Sequence, residues 1–195
     1  MSAMATRERI LDAALQSLAE GGFEALTIGR LAARTGLSKS GLFAHFGGQE
    51  ALHCAVVDAA AKRFQDAVTA PALTRRDPVE RIETLAGRWL DWLSTPGLGK
   101  PCPMVQCAVS APGLAGGAGA HAIAIRARFR PFVARLARQA AAAGRLAHIT
   151  DPDQFAFEFE AIGLGAAFAG QGQDPGADLM RARQAFRTLL SGPPS

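Results

Sequence analysis

Apolar residues recur at the i, i+3, i+4 spacing of a helix along most of this chain, which predicts an all-α protein of about nine helices. In the first, Ile10, Leu11, Ala14, Leu15 and Leu18 share a face, Gly21 and Gly22 end the helix, and Phe23 returns the chain to the core. Thr27 then stands where an N-cap belongs, ahead of Ile28, Leu31 and Ala32 on one side of a short second helix. Gly36 can take a positive φ, Leu37 can plug the space between helices, and Ser38 caps a third helix whose Leu42 and Phe46 point inward. Two short helices joined at a glycine make a helix-turn-helix. On the second of them Lys39, Ser40, Gly41, Phe43 and His45 fall away from the buried side, where they can meet DNA.

A fourth helix, about residues 49–70, carries Leu52, Val56, Ala60 and Phe64 along one side before Pro71 stops it. Asp77 and Pro78 open a fifth, with Ile82, Leu85, Trp89, Trp92 and Leu93 on its buried side until Pro96 and Gly97. A short sixth element lies near residues 104–111, and the stretch PGLAGGAGAH reads as a flexible loop. The seventh helix, about residues 120–143, turns Ile123, Phe129, Phe132, Val133 and Leu136 inward and should bend at Pro131. An eighth follows over about residues 153–170 and a ninth over about 175–190. The eighth is apolar on more than one side, through Phe155, Phe157, Phe159, Ile162, Leu164 and Phe168, with Gly163, Gly165 and Ala167 permitting close helix approach. Both faces need covering, which predicts an isologous homodimer through helices eight and nine.

At 195 residues and 49% hydrophobic content the chain can build two small cores. The expected division is a helix-turn-helix domain over residues 1–48 and a helical effector-binding and dimerisation domain over 49–195. Apolar runs long enough for a membrane span are missing, and Arg7, Glu8 and Arg9 stand where a signal peptide would be apolar, so a cytoplasmic location is expected. Three cysteines, an odd number, fit reduced thiols better than a disulfide framework.

Net charge is +4, and its distribution says more than its total. No carboxylate occurs from Ala25 to Gln49, while Arg30, Arg34 and Lys39 are cationic there and His45 can become so. A positive field over the helix-turn-helix suits a polyanion. A second acid-free interval, Trp92 to Thr150, holds Lys100, Arg126, Arg128, Arg130, Arg135, Arg138 and Arg145, read as a solvated arginine face or as attraction for an anionic effector.

Over about residues 6–55, in TRERILDAALQSLAEGGFEALT and the LTIGRLAARTGLSKSGLFAHFGGQEAL that continues it, the chain resembles the amino-terminal domain of the TetR family of bacterial transcription regulators. Beyond that the likeness is architectural and implies no particular ligand. The resemblance implies a homodimeric DNA-binding regulator, a repressor released from a palindromic operator in double-stranded DNA by a small molecule. Two recognition helices would then enter successive major grooves about 34–36 Å apart. Lys39, Ser40 and Gly41 are the candidates for base edges, Lys39 for guanine, while Thr27, Phe43 and His45 would position the DNA backbone. Two positions depart from the family's habit. Phe43 stands where a tyrosine commonly touches a phosphate, and Gln49 where a lysine usually opens the fourth helix, so some phosphate affinity should be missing.

For the effector, Trp89, Trp92, Met104, Cys107, Phe129, Phe132 and Phe159 are expected to converge between helices five to eight around an apolar, aromatic or acyl molecule. One or two of Arg126, Arg128 and Arg130 could reach an anionic head group. Catalytic chemistry is not expected. His45, His53, His121 and His148 show no metal-ligand spacing, no Cys-x-x-Cys occurs, and no cofactor is implied. Cys102 and Cys107 read as core or pocket thiols, with a redox role left open. Glu158 and Glu160 read as surface, and the glycine loop lacks the lysine and Ser/Thr of a phosphate cradle. Two other readings stay open: an enzyme or small-molecule carrier with a degenerate helix-turn-helix, marked by turnover without operator binding, and an effector-independent DNA-binding module, marked by a second domain without a cavity.

Overall fold

The computed structural model describes residues 3–95, 102–114, 117–169 and 174–192, and among these there are helices and no strand. The chain divides into two compact units. The first holds the residues up to Arg63 and the segment 96–126; the second holds Phe64–Thr95 and the chain from Ala127 onward.

In the first unit α1 (Ala3–Gly21) leads through a 3-10 turn (Phe23–Ala25) to α2 (Ile28–Thr35), α3 (Lys39–Phe46) and α4 (Gln49–Phe64, whose last residue falls in the second unit). α7 (Pro103–Ser110) and α8 (Gly117–Arg126) complete it. The apolar face expected of α1 is buried throughout, together with Phe23, Leu26, Leu31, Leu42 and Phe46. Leu52, Val56 and Ala60 of α4, Cys107 of α7 and Ala122 of α8 enter this same core. The packing therefore divides the chain elsewhere than between residues 48 and 49, because α4 buries its apolar side against the helix-turn-helix. The glycine stretch also differs from expectation. Residues 115–116 lie outside the described ones, but Gly117–Arg126 is helical, and a Cβ on Gly119 would sit 2.3 Å from the Ala111 carbonyl oxygen. Glycine here permits close approach of α8 rather than looseness.

The second unit contains a π turn (Gln65–Thr69), α5 (Ala70–Leu73), α6 (Pro78–Leu93), α9 (Phe129–Ala142), α10 (Pro152–Ala169) and α11 (Pro175–Ser191). Pro71 does not stop the helical run as expected: the wider π turn precedes it, with the Ala70 N–H reaching back to the Gln65 carbonyl, and helix continues to Leu73. Pro131 does more than bend its helix. The chain turns at Ala127 and Arg128 and a new helix starts at Phe129, placing Pro131 in the first turn, where its missing N–H leaves no vacancy. Asp77 caps α6 as the sequence predicts, its carboxylate accepting from the N–H groups of Val79 (2.8 Å) and Glu80 (3.3 Å) and pairing with Arg145. Desolvation opposes the charge, but these donors and Arg145 hold the Asp77 carboxyl below its ordinary range. Ile82, Leu85, Trp89 and Leu90 of α6 meet Val133 and Leu136 of α9, Phe155 and Phe159 of α10, and Phe186 of α11 in one core.

Candidate functional site

The helix-turn-helix is built by local rules. Thr27 Oγ1 accepts from the Arg30 N–H at 3.2 Å and Ser38 Oγ from the Gly41 N–H at 3.0 Å, so each helix starts on a side-chain cap. Gly36, at φ 70°, ends α2 with its own N–H and that of Leu37 directed to the Ala32 carbonyl. Gly47, at φ 76°, ends α3 in the same left-handed conformation. Leu42 and Phe46 are thereby held in the core, and Lys39, Ser40 and Phe43 are exposed, Phe43 at 54%. Thr27, Gly41 and His45 are half-buried beside them. All six residues expected at the DNA face thus lie on the starts or outer side of α2 and α3.

Sequence reasoning missed three supports of this face. The Lys39 side chain lies back along α2, where a Cβ on Gly29 would stand 3.4 Å from its Cε, in ordinary contact. The guanidinium of Arg7 lies 5.2 Å from the centre of the Phe46 ring and adds a cation near α3. His53 is buried with Nε2 3.0 Å from the Leu26 carbonyl and its ring edge-on to Phe23; since a carbonyl can only accept, Nε2 carries the proton. That bond ties α4 to the residue before the Thr27 cap.

The positive field is narrower than the sequence suggested. Arg34 is engaged by both carboxylate oxygens of Glu20, at 2.6 and 2.9 Å, and by Gln16 at 3.2 Å. The Arg34 hydrogen bond holds the Glu20 carboxyl below its ordinary range. Arg30 and Lys39 are exposed and enter no ion pair with the described residues. The free charge of α2 and α3 themselves rests on these two.

Of the seven residues expected around an effector, five converge. Trp89 lies 5.0 Å from Phe129 and 6.2 Å from Phe159 between ring centres, Phe129 lies 6.4 Å from Phe132, and Phe64 stands edge-on to both Trp89 and Trp92. Both indole Nε1 atoms are buried and lack hydrogen-bond partners. Met104 and Cys107 instead pack with the core of the first unit. The spacing of α7 showed an apolar face but could not say which core it joins. Burial, and next Cys102, push the Cys107 thiol up to about 12, which leaves almost no thiolate for redox sensing. A separate groove of about 360 Å³ lies between α6 and α11, floored by Ala86, Leu90, Phe186 and Leu190 and edged by Glu83, Arg183 and Arg187.

On α10 the two apolar faces are real, but the small residues are distributed differently from expectation. Gly163 and Ala167 are buried within the chain, and a Cβ on Gly163 would lie 2.2 Å from Trp89 Cζ3. Gly165 points outward, on the side that exposes Phe157 (50%), Ala161 and Phe168 (46%). Two residues advance a helix by about 200°, so Glu158 is exposed while Glu160, expected at the surface, is 4% exposed and bonded to Arg130 Nε at 2.7 Å. That guanidinium lies over the Phe157 ring at 5.1 Å. Among the described residues no group of three or more His, Cys, Asp or Glu could hold a metal, and no helix is long and apolar enough to cross a membrane.

Comparison with known proteins covers both units. Residues 10–56 match the family described as bacterial regulatory proteins, tetR family, and residues 78–186 match the tetracyclin repressor-like C-terminal domain. The HTH-type transcriptional repressor AcnR of Corynebacterium efficiens is 35% identical over 91 residues, a match that spans 46% of this chain and 46% of that protein. A TetR-family regulator from Streptomyces coelicolor superposes with a TM-score of 0.82 at 22% identity, over 95% of this chain and 88% of that one. AibR, solved with isovaleryl coenzyme A and operator DNA, superposes with a TM-score of 0.76 at 21% identity, over 95% of this chain and 98% of its own. At these identities the structural likeness concerns the fold.

Proposed function

Because this chain belongs to the TetR family of bacterial regulatory proteins, we propose that it is a homodimeric repressor that grips a palindromic operator and releases it when a small, mainly apolar molecule enters the second unit. The observation that carries the reading is α3: capped by Ser38, anchored by Leu42 and Phe46, it presents Lys39, Ser40 and Phe43 to solvent beside the exposed Arg30. A helix held rigidly by one face and cationic on the other is suited to a major groove. Lys39 reads a guanine edge, Ser40 and Gly41 lie against neighbouring bases, and Thr27, Phe43 and His45 set the register on the phosphates. Lys39→Ala should cost about 1–3 kcal/mol on operator DNA and much less on scrambled DNA. Titration of both duplexes at one salt concentration checks this, and equal losses would make Lys39 a phosphate contact instead.

The dimer would form through the outer face of α10, where Phe157, Ala161, Leu164 and Phe168 follow one another at helical spacing, and through α11 with its exposed Met180. Phe168→Glu should shift sedimentation from dimer to monomer and weaken operator binding, since one half-site offers half the contacts. A dimer unchanged by that substitution would take α10 out of the interface. The aromatic cluster of the second unit is the effector site in this reading. AibR, with its bound acyl coenzyme A and operator, supports an apolar acyl or aromatic ligand as the class to screen first.

A further inference from the structure

The core of the second unit holds two donors without acceptors. Trp89 and Trp92 lie three residues apart on α6, and the buried Nε1 of each has no hydrogen-bond partner. An indole N–H donates and cannot accept, so no change of role within the ring satisfies it. In the unfolded chain water satisfies both groups, and bare donors of this kind are rare in native cores. The rings around them offer only weak π faces: Phe64 stands at 5.9 Å from Trp89 and 6.1 Å from Trp92, and Phe129 and Phe159 flank Trp89.

Trp89 cannot turn away to find water. It is 4% exposed, and the backbone of α10 closes on its ring at Gly163, where even a methyl group would collide. Phe64, Trp92, Phe129 and Phe132 are half-buried, so the cluster reaches the surface on that side, and the π turn directly after Phe64 is the kind of irregularity that recurs at functional sites. Charged side chains border the cluster. Glu160 is bonded to Arg130, and the Arg135 guanidinium lies over Phe132 at 5.5 Å. A neutral oxygen would find two donors here.

We propose that the indole N–H groups of Trp89 and Trp92 form the polar end of a site for a neutral carbonyl compound, a ketone, ester or thioester, whose apolar remainder lies among Phe64, Phe129 and Phe159. The inference rests on the effector reading above and adds the chemistry of the ligand. A carbonyl oxygen only accepts, so it suits an N–H that the fold leaves without an acceptor. The groove between α6 and α11 has an apolar floor but charged edges.

The chain contains two tryptophans, so a nitrogen-15 spectrum carries two indole N–H signals and reads this site directly. The probes are butyrophenone and butylbenzene, which share a skeleton and differ by the carbonyl. Butyrophenone should move both indole protons downfield and slow their exchange, and butylbenzene should not. Trp92→Phe should weaken butyrophenone about 10-fold more than butylbenzene, the loss expected for one hydrogen bond. If that variant fails to fold, incorporation of benzothienylalanine, which keeps the bicyclic ring and replaces N–H by sulfur, makes the same comparison. Indole signals that stay unmoved by butyrophenone, or equal losses for the two probes, overturn the proposal. No DNA enters these measurements. Intact indole responses without operator binding would therefore remove the repressor reading and keep the site, and the converse would remove the site alone.

Discussion

The helix-turn-helix and the aromatic core of the second unit treat their polar groups differently. In the helix-turn-helix the helix ends are closed by neighbours in sequence: Thr27 and Ser38 each cap an N–H three residues on, and Gly36 and Gly47 close the helices with their own backbones. On the outer side of α3 Lys39 and Phe43 point to solvent, and Ser40 is bonded to the cap hydroxyl of Ser38 at 3.1 Å. In the second unit helices also start on local caps such as Asp77, but the polar groups at its aromatic core find partners far along the chain or none. Glu160 depends on Arg130, 30 residues away, and the two indole donors have no acceptor. A surface that reads a polyanion is assembled by local capping, whereas a core of rings leaves few polar groups, so each unsatisfied one points toward a ligand.

The contrast breaks most readily at Gly163. Gly163→Leu should destabilise the second unit by about 3 kcal/mol or more, because the helix backbone and the Trp89 ring leave no space even for a Cβ. Gly87→Ala on α6 is the counterpart: a Cβ there meets nothing within 4 Å, and the change should stabilise by about 0.5–1 kcal/mol. Urea unfolding followed by tryptophan fluorescence reports on this unit, since both tryptophans belong to it. A Gly163→Leu variant as stable as the parent would contradict the tight contact.

Next in size are the caps. Thr27→Ala and Ser38→Ala should each cost about 1 kcal/mol, read as faster amide exchange in α2 and α3 respectively, with tryptophan fluorescence unaltered. Loss of both helices from either single change would mean that the caps act through the fold and not locally.

The smallest effects are those of pH. The carboxyls of Glu20 and Asp77 are both held below their ordinary range, so each stabilises the folded state above the pKa it has when unfolded, and that contribution disappears as pH falls through the lower folded value. Glu20→Gln and Asp77→Asn should flatten the decline of thermal stability below about pH 4, the first in the helix-turn-helix unit and the second in the other. Melting curves taken from neutral to acid pH check the sign: a variant that declines more steeply than its parent would reverse it.

Much of the first unit was legible in order along the chain. Caps, glycine turns and the inward pair Leu42 and Phe46 act within one or two helical turns, and a sequence displays such neighbours directly. The departures have identifiable causes. Pro71 follows a π turn that admits it, Pro131 starts a helix instead of bending one, and Gly163 faces Trp89 rather than a second copy of the chain. The last depends on what lies opposite in space.

By itself the sequence determined the helical character, the helix-turn-helix with its exposed Lys39, Ser40 and Phe43, and the aromatic wealth of the second unit, because helix period and capping are short-range properties of the chain. Tertiary structure decided that α4 and Cys107 belong to the first core, that Arg34 is spent on Glu20, that Glu160 is buried against Arg130, and that the indoles of Trp89 and Trp92 lack acceptors. Amphipathic spacing says which side of a helix is buried, but the surface that covers it, and whether that surface can accept a hydrogen bond, is set by residues brought near only when the chain has folded.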